Sequence, residues 1–223
     1  NRGDQIATLV NMQSADFHMG AKASELATTD IDFAPFAGKS YRGNMNTTLM
    51  RTQKGKTLMI QHDVSSPRPY SRIHLLSGTI GFAQKYPTKG LSFKNYKDGH
   101  AWLPQEEMAG LEAKYTPDMV KLIGEQAKAV GGHGGMDFIM DWRLIDCLRN
   151  GLPLDQDVYD AASRSAIIPL SIQSSAQNSR QLNFPDFTKG NWQRNKPVNL
   201  SLEGGGNTKI RAVAKAGEGQ LQV

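Results

Sequence analysis

The sequence predicts an α+β fold: an open, mainly antiparallel sheet with helices packed on one face. Two observations carry this. Up to about Ala83, β-branched and apolar runs are separated by short turns containing glycine, the pattern of consecutive hairpins. After Pro104 the apolar residues recur at three- and four-residue spacing, the pattern of helices. Strands first and helices after place the chain in the α+β class, and no internal repeat interrupts the order.

Ile6 to Val10 reads as the first strand, and Ala21 to Ala27 as a short helix in a mixed stretch. Thr47 to Thr52 and Thr57 to His62 form a hairpin around Lys54-Gly55. Arg72 to Leu76 and Thr79 to Ala83 form a second around Ser77-Gly78. Gln105 to Lys114 and Pro117 to Val130 come next as helices, the second with proline in its first turn and one largely apolar face. Met136 to Asn150 is the strongest helix. Met136, Ile139, Met140, Leu144, Cys147 and Leu148 fall near one stripe, and Gly151 supplies the stop. A last helix comes after Pro153, with Asp155 as its cap and Asp157 and Asp160 in its electropositive first turn. Pro169 is expected to kink or end it. Pro185 to Trp192 is expected to be irregular, and the glycine-rich Ser201 to Val223 to be an edge strand or a loose tail.

The bulk numbers exclude several classes. Hydrophobic residues are 39% and charged residues 21%, which fits a globular and not a disordered chain. The net charge is +5, but the basic residues are scattered and form no groove with interleaved aromatics for nucleic acid. No apolar run reaches the ~20 residues that span a bilayer. Cys147 stands alone, so there is no internal disulfide. HExxH, paired Cys-x-x-Cys and EF-hand patterns are absent, so no metal is expected. GxSxG, GxGxxG and the P-loop are absent too, so the chain shows no dinucleotide-binding half of its own. It begins at Asn1 without methionine, as a fragment or a processed chain would, and any export signal would lie upstream.

The segment KTLMIQHDVSSPRPYSR, residues 56–72, is the place to look for chemistry. A strand runs into Pro67 and Pro69, whose rings hold Ser66 and Arg68 out of the helical region. The stiff segment presents Tyr70 between Arg68 and Arg72, a sensible place to hold a sugar or a phosphate; an ordinary strand exit with a packed tyrosine is the plainer alternative. His62 and Asp63 are adjacent and would point to opposite faces. A second motif is Gly131-Gly132-His133-Gly134-Gly135 before a helix. Its N–H groups could hold an anion and His133 could act as acid, base or ligand, or the glycines could serve only close packing with His133 hydrogen-bonded. Asp137 and Asp141 lie one turn apart and fit the helix dipole or pairs with Arg143 or Arg149 better than a dyad.

Several long stretches together resemble glycoside hydrolase family 109, the NAD-dependent α-N-acetylgalactosaminidase-like proteins of the glucose–fructose oxidoreductase-like group. They are NRGDQIATLVNMQS, NMNTTLMRTQKGKTLMIQHDVSSPRPYSRIHLLSGTIGFAQKYP, GGHGGMDFIMDWRLIDCLRNGLPLDQDVYDAA and FPDFTKGNW, in the family's order from Asn1 to Trp192. The resemblance implies two domains in the whole protein. An N-terminal Rossmann domain binds NAD, and a C-terminal domain completes the sugar site and mediates oligomers. This chain resembles only the second. Residues 1–200 are then a substrate and oligomerisation domain and 201–223 a tail. The family's catalytic Tyr-Pro-Thr-His motif would lie upstream of Asn1, so these residues alone are expected to be inactive. The implied chemistry is oxidation at C3 of the sugar by bound NAD, elimination, addition of water and re-reduction, with the cofactor recycled. Tyr70 carries over as a sugar contact, with Arg68, Arg72 and His62 as neighbours in the same matched stretch. His133 and Asp137 lie in a matched motif without an assigned role. The resemblance also implies a carbohydrate substrate and a homo-oligomer formed through the open sheet face. Rival readings are the matching domain of an NAD-dependent sugar oxidoreductase, and a non-catalytic assembly module.

Overall fold

The computed structural model describes residues 2–63 and 65–196. Its elements are, in order, β1 (Ile6–Gln13), α1 (Met19–Leu26), β2 (Asn46–Thr52), β3 (Thr57–His62), β4 (Leu75–Ser77), β5 (Gly81–Gln84), β6 (Gly90–Phe93), α2 (Gln105–Tyr115), α3 (Asp118–Val130), α4 (Met136–Arg149), α5 (Val158–Ala176) and β7 (Leu182–Asn183). Every strand pairing among them is antiparallel, as an α+β fold of hairpins requires. The expected single run of strands is divided: one sheet has the order β3-β2-β1-β7, the other β4-β5-β6. The chain itself divides into two units, which in the described residues are 2–67 with 154–196, and 68–153. The expected tail from Ser201 to Val223 lies outside the described residues.

The first unit is the four-stranded sheet with α5 on one face. Lys54-Gly55 closes the β2–β3 hairpin as expected, with Gly55 at φ +81°. Side chains alternate across the strands, and Leu9 and Met50 face α5. They form the core with Phe184, against Ile6, Ala166, Ile167, Leu170 and Phe187. The opposite face carries a row of paired apolar residues, Val10, Leu49 and Met59, of which Leu49 and Met59 are about half exposed.

Helix α5 is capped by Asp157, not Asp155. Asp157 accepts from the Asp160 N–H at 2.9 Å, and Asp160 accepts from the Asp157 N–H at 3.2 Å, a reciprocal box. Arg2 lies 3.3 Å from Asp157 and 3.4 Å from Asp160, tying the first residues of the unit to the helix start. The helix also runs through Pro169 to Ala176 instead of ending there. Three serines of the turns beyond the proline bind it to the sheet. Ser174 Oγ accepts the Asn11 N–H at 2.9 Å, Ser171 Oγ lies 2.9 Å from Thr48 Oγ1, and Ser175 Oγ donates to Asn11 Oδ1. These tertiary bonds offset the ~3 kcal/mol that an interior proline costs a helix.

The second unit holds the three-stranded sheet and helices α2, α3 and α4. Trp102 covers Gly90 so closely that a Cβ there would sit 2.5 Å from its ring. Helix α4 forms as expected, but of its predicted stripe only Cys147 is buried. Met140 and Leu148 are 62% exposed, while Cys147 and Arg143 are buried. Arg143 pairs with Asp146 at 3.3 Å.

Four carboxyls of the first unit sit below their ordinary value. Burial raises Asp4, but the Lys56 ammonium at 3.0 Å and the N–H groups of Lys54 and Gln5 outweigh it. The Tyr41 N–H, with those of Gly20 and Met19, lowers Asp16. Burial also raises Asp160, but the Asp157 N–H and Arg2 prevail. The Thr188 hydroxyl lowers Asp186, helped by the N–H groups of Gly190 and Thr188. A depressed folded pKa stabilises above the unfolded value and ceases to do so as pH falls through the folded one. The stabilisation from all four is therefore complete above about pH 4 and lost progressively below it. The urea midpoint of the chain should fall on acidification below that point; a midpoint that stays level down to about pH 2 would contradict this.

Candidate functional site

Tyr70 lies in the second unit at the mouth of the β4–β5 hairpin. The register pairs Leu75 with Gln84, so the residues before β4 and after β5 leave the sheet at the same end. The Lys85 N–H donates to the His74 carbonyl at 3.0 Å and carries the pairing one step further. That brings Tyr86 beside Tyr70, ring centroids 6.1 Å apart and planes at 85°, an edge-to-face contact. The His74 ring lies 5.8 Å from the Tyr86 ring, centroid to centroid. Lys85 Nζ lies 5.6 Å from the centre of the Tyr86 ring.

The chain reaches this corner through a tight turn. The His74 N–H donates to the Arg72 carbonyl at 2.8 Å, and the Ile73 N–H to Ser71 Oγ at 3.0 Å. Ile73 has φ +63° and His74 φ +32°, the left-handed region that a β-branched residue rarely enters. Such strain persists where surrounding contacts over-determine the backbone, and it collects at functional segments. Upstream, Asp63 Oδ1 accepts the N–H groups of Ser65 at 3.2 Å and Ser66 at 3.0 Å, which fixes the entry into the two-proline segment.

The sequence-derived candidates fall in two different units. Tyr70 is 71% exposed and Arg72 is beside it: Arg72 Nε donates to Tyr70 Oη at 2.5 Å, and its guanidinium carbon is 5.8 Å from the Tyr70 ring centre. Arg68 is exposed at the start of the same unit. His62 ends β3 in the other unit, exposed and paired in register with Asn46. Sequence reasoning missed Tyr86 and His74. The one available signal was the second hairpin, whose register sets them near Tyr70.

The glycine motif builds a separate feature. His133 Nδ1 lies 2.8 Å from Asp137 Oδ2, with both side chains substantially exposed. All five residues from Gly131 to Gly135 have positive φ, His133 among them at +48°. Gly135 is required for packing: a Cβ there would sit 2.7 Å from the Ala127 backbone carbon. The turn thus places the start of α4 against α3, as close packing with a hydrogen-bonded histidine requires. The fourth matched stretch forms a turn around Asp186, which accepts from Thr188 Oγ1 at 2.7 Å and from the Gly190 N–H at 2.7 Å. With its amide turned to satisfy both neighbours, Gln5 donates to Asp186 at 2.9 Å and accepts from Trp192 Nε1 at 3.3 Å. Among the described residues no group of three or more His, Cys, Asp or Glu side chains is placed to hold a metal ion. No described helix is long and apolar enough to cross a membrane.

Residues 1–194 match the family described as glycosyl hydrolase 109, C-terminal domain. The chain belongs to that family. It is 42% identical over 202 residues to glycosyl hydrolase family 109 protein 2 of Shewanella sp. (strain ANA-3), covering 90% of this chain and 43% of the relative. It is 44% identical over 194 residues to glycosyl hydrolase family 109 protein 2 of Phocaeicola vulgatus, covering 86% and 46%. It is 41% identical over 203 residues to the alpha-N-acetylgalactosaminidase of Shewanella oneidensis, covering 90% and 43%. The chain therefore spans less than half the length of these curated relatives.

Gly135→Ala is expected to lower stability by about 2 kcal/mol, through the strained φ and the collision with the α3 backbone. Thermal unfolding of the purified chain checks this, and an unchanged midpoint would contradict the packing role.

Proposed function

We propose that this chain is the substrate-side domain of a glycosidase that cleaves α-N-acetylgalactosaminides with NAD as cofactor, and that Tyr70 contacts the sugar. The single observation that carries the reading is the match to the family's C-terminal domain over residues 1–194, supported by a relative named alpha-N-acetylgalactosaminidase. The exposed Tyr70 adds chemical support: its aromatic face suits the C–H face of a sugar ring, and its hydroxyl suits a sugar oxygen.

The residues present do not fit a dinucleotide. A nucleotide crevice of the usual kind needs parallel βαβ units and a glycine-rich strand-to-helix turn. Here all described pairings are antiparallel and the sequence lacks GxGxxG. NAD in this reading is held by residues outside this chain, and the part played by residues 1–200 is to bind and orient the sugar and to join subunits. The half-exposed row of Leu49 and Met59 beside Val10 supports a second copy on the open sheet face.

The test is product analysis of the full-length protein with a chromogenic α-N-acetylgalactosaminide. Sugar release without accumulation of NADH is expected, and Tyr70→Ala should lower kcat/KM about tenfold or more. NADH formed in proportion to product would instead indicate a sugar oxidoreductase, and the absence of turnover would remove the enzymatic reading. Leu49→Arg should shift the protein to monomer in light scattering at micromolar concentration. An unmutated protein that is already monomeric would contradict the role given to the sheet face.

A further inference from the structure

We propose that Arg72 and Tyr86 are positioning residues for Tyr70, and that Arg72 commits the Tyr70 phenol to donating its hydrogen to a carbohydrate oxygen. The inference rests on the reading of Tyr70 as a sugar contact, and it removes Arg72 from the set of direct contacts.

A phenol oxygen has one hydrogen to give and lone pairs with which to accept, whereas a guanidinium has only hydrogens to give. Arg72 Nε donates to Tyr70 Oη at 2.5 Å, so the acceptor side of the phenol is engaged. The phenol hydrogen cannot be returned to Arg72 and is left for a ligand. Toward substrate Tyr70 is therefore a donor, complementary to an oxygen with an accessible lone pair, such as a hydroxyl or the carbonyl of an N-acetyl group. Because a guanidinium stays charged at any working pH, this polarity is permanent.

The ring plane is fixed separately. Tyr86 meets Tyr70 edge-to-face, and Tyr86 itself is only partly exposed and flanked by His74 and Lys85. Tyr70, in contrast, is 71% exposed. The better-buried ring thus braces the exposed one, and the β4–β5 register that brings them together is set by backbone hydrogen bonds on both sides. The near-perpendicular packing of the two rings involves their faces and edges, and the hydroxyl of Tyr86 has no part in it.

A double-mutant cycle in the full-length protein tests this. Y70F, R72L and the double variant are compared by kcat/KM on an α-N-acetylgalactosaminide, with thermal midpoints recorded to confirm that all are folded at the assay temperature. R72L is expected to lower kcat/KM about fivefold in the unmutated background and less than about twofold in the Y70F background, since it acts through a hydroxyl that Y70F has removed. Y86L should fall severalfold, and Y86F, which keeps the ring, should fall less than Y86L. Equal losses from R72L in both backgrounds would mean that Arg72 touches the sugar itself, and would overturn the inference while leaving the glycosidase reading in place. No loss from R72L would overturn it as well. No turnover by the unmutated protein would overturn the glycosidase reading and this inference together.

Discussion

The first unit depends on how strand β1 is satisfied along its second edge. β1 runs from Ile6 to Gln13, but β7 is only two residues long and pairs with Thr8 and Leu9. Beyond that point a buried N–H would lack a partner, at a cost of about 1–3 kcal/mol. The hydroxyl of Ser174 in α5 takes the Asn11 N–H instead, while Asn11 Nδ2 donates to Thr48 Oγ1 at 2.9 Å. Asn11 and Ser174 are almost completely buried, so this polar seam is part of the sheet–helix core. It fixes the height of α5 over the sheet, and thereby the place of Leu170 and Ile167 on the Leu9–Met50–Phe184 cluster. It also explains why a helix containing Pro169 continues: the turns beyond the proline are held from the sheet side.

Local chemistry made much of this fold legible. The Lys54-Gly55 turn, the four long helices and the hairpin around Ser77-Gly78 arise from turn residues and periodicity that act within a few positions. The differences arise where distant residues decide. Asp157 caps α5 because Asp160 lies three residues on to complete the box and Arg2 comes from the other end of the sequence. The α4 stripe reads as one apolar face from its spacing, yet of its members only Cys147 is buried, alongside Arg143 from outside the stripe, and spacing cannot say which neighbour is present. The division of the strands into two sheets likewise depends on the course of the chain beyond the two-proline segment, not on the strands themselves.

The candidate site was legible to the same degree. The stiffness of the Pro67–Pro69 segment and the closeness of Arg72 to Tyr70 are local properties, and the structure places the two side chains in contact. Tyr86 lies sixteen positions further along and is joined to Tyr70 only by hairpin register, which the sequence outlines without fixing. His62 shows the converse. It is near Tyr70 in sequence, but it closes β3 in the first unit, whereas Tyr70 belongs to the second. The glycines around His133 were ambiguous because backbone freedom serves both anion binding and close approach; the contact of Gly135 with Ala127 supplies the reason for at least one of them.

In this reading the chain is the sugar-binding part of a two-part site whose nucleotide is held elsewhere. Calorimetric titration of NAD into this chain alone, at concentrations up to saturation of a typical dinucleotide site, tests that most directly. No saturable heat is expected, because the strands among the described residues pair only antiparallel and the sequence lacks the glycine-rich strand-to-helix turn that holds a pyrophosphate. Saturable binding would contradict the two-part site, and would place the cofactor on this chain itself.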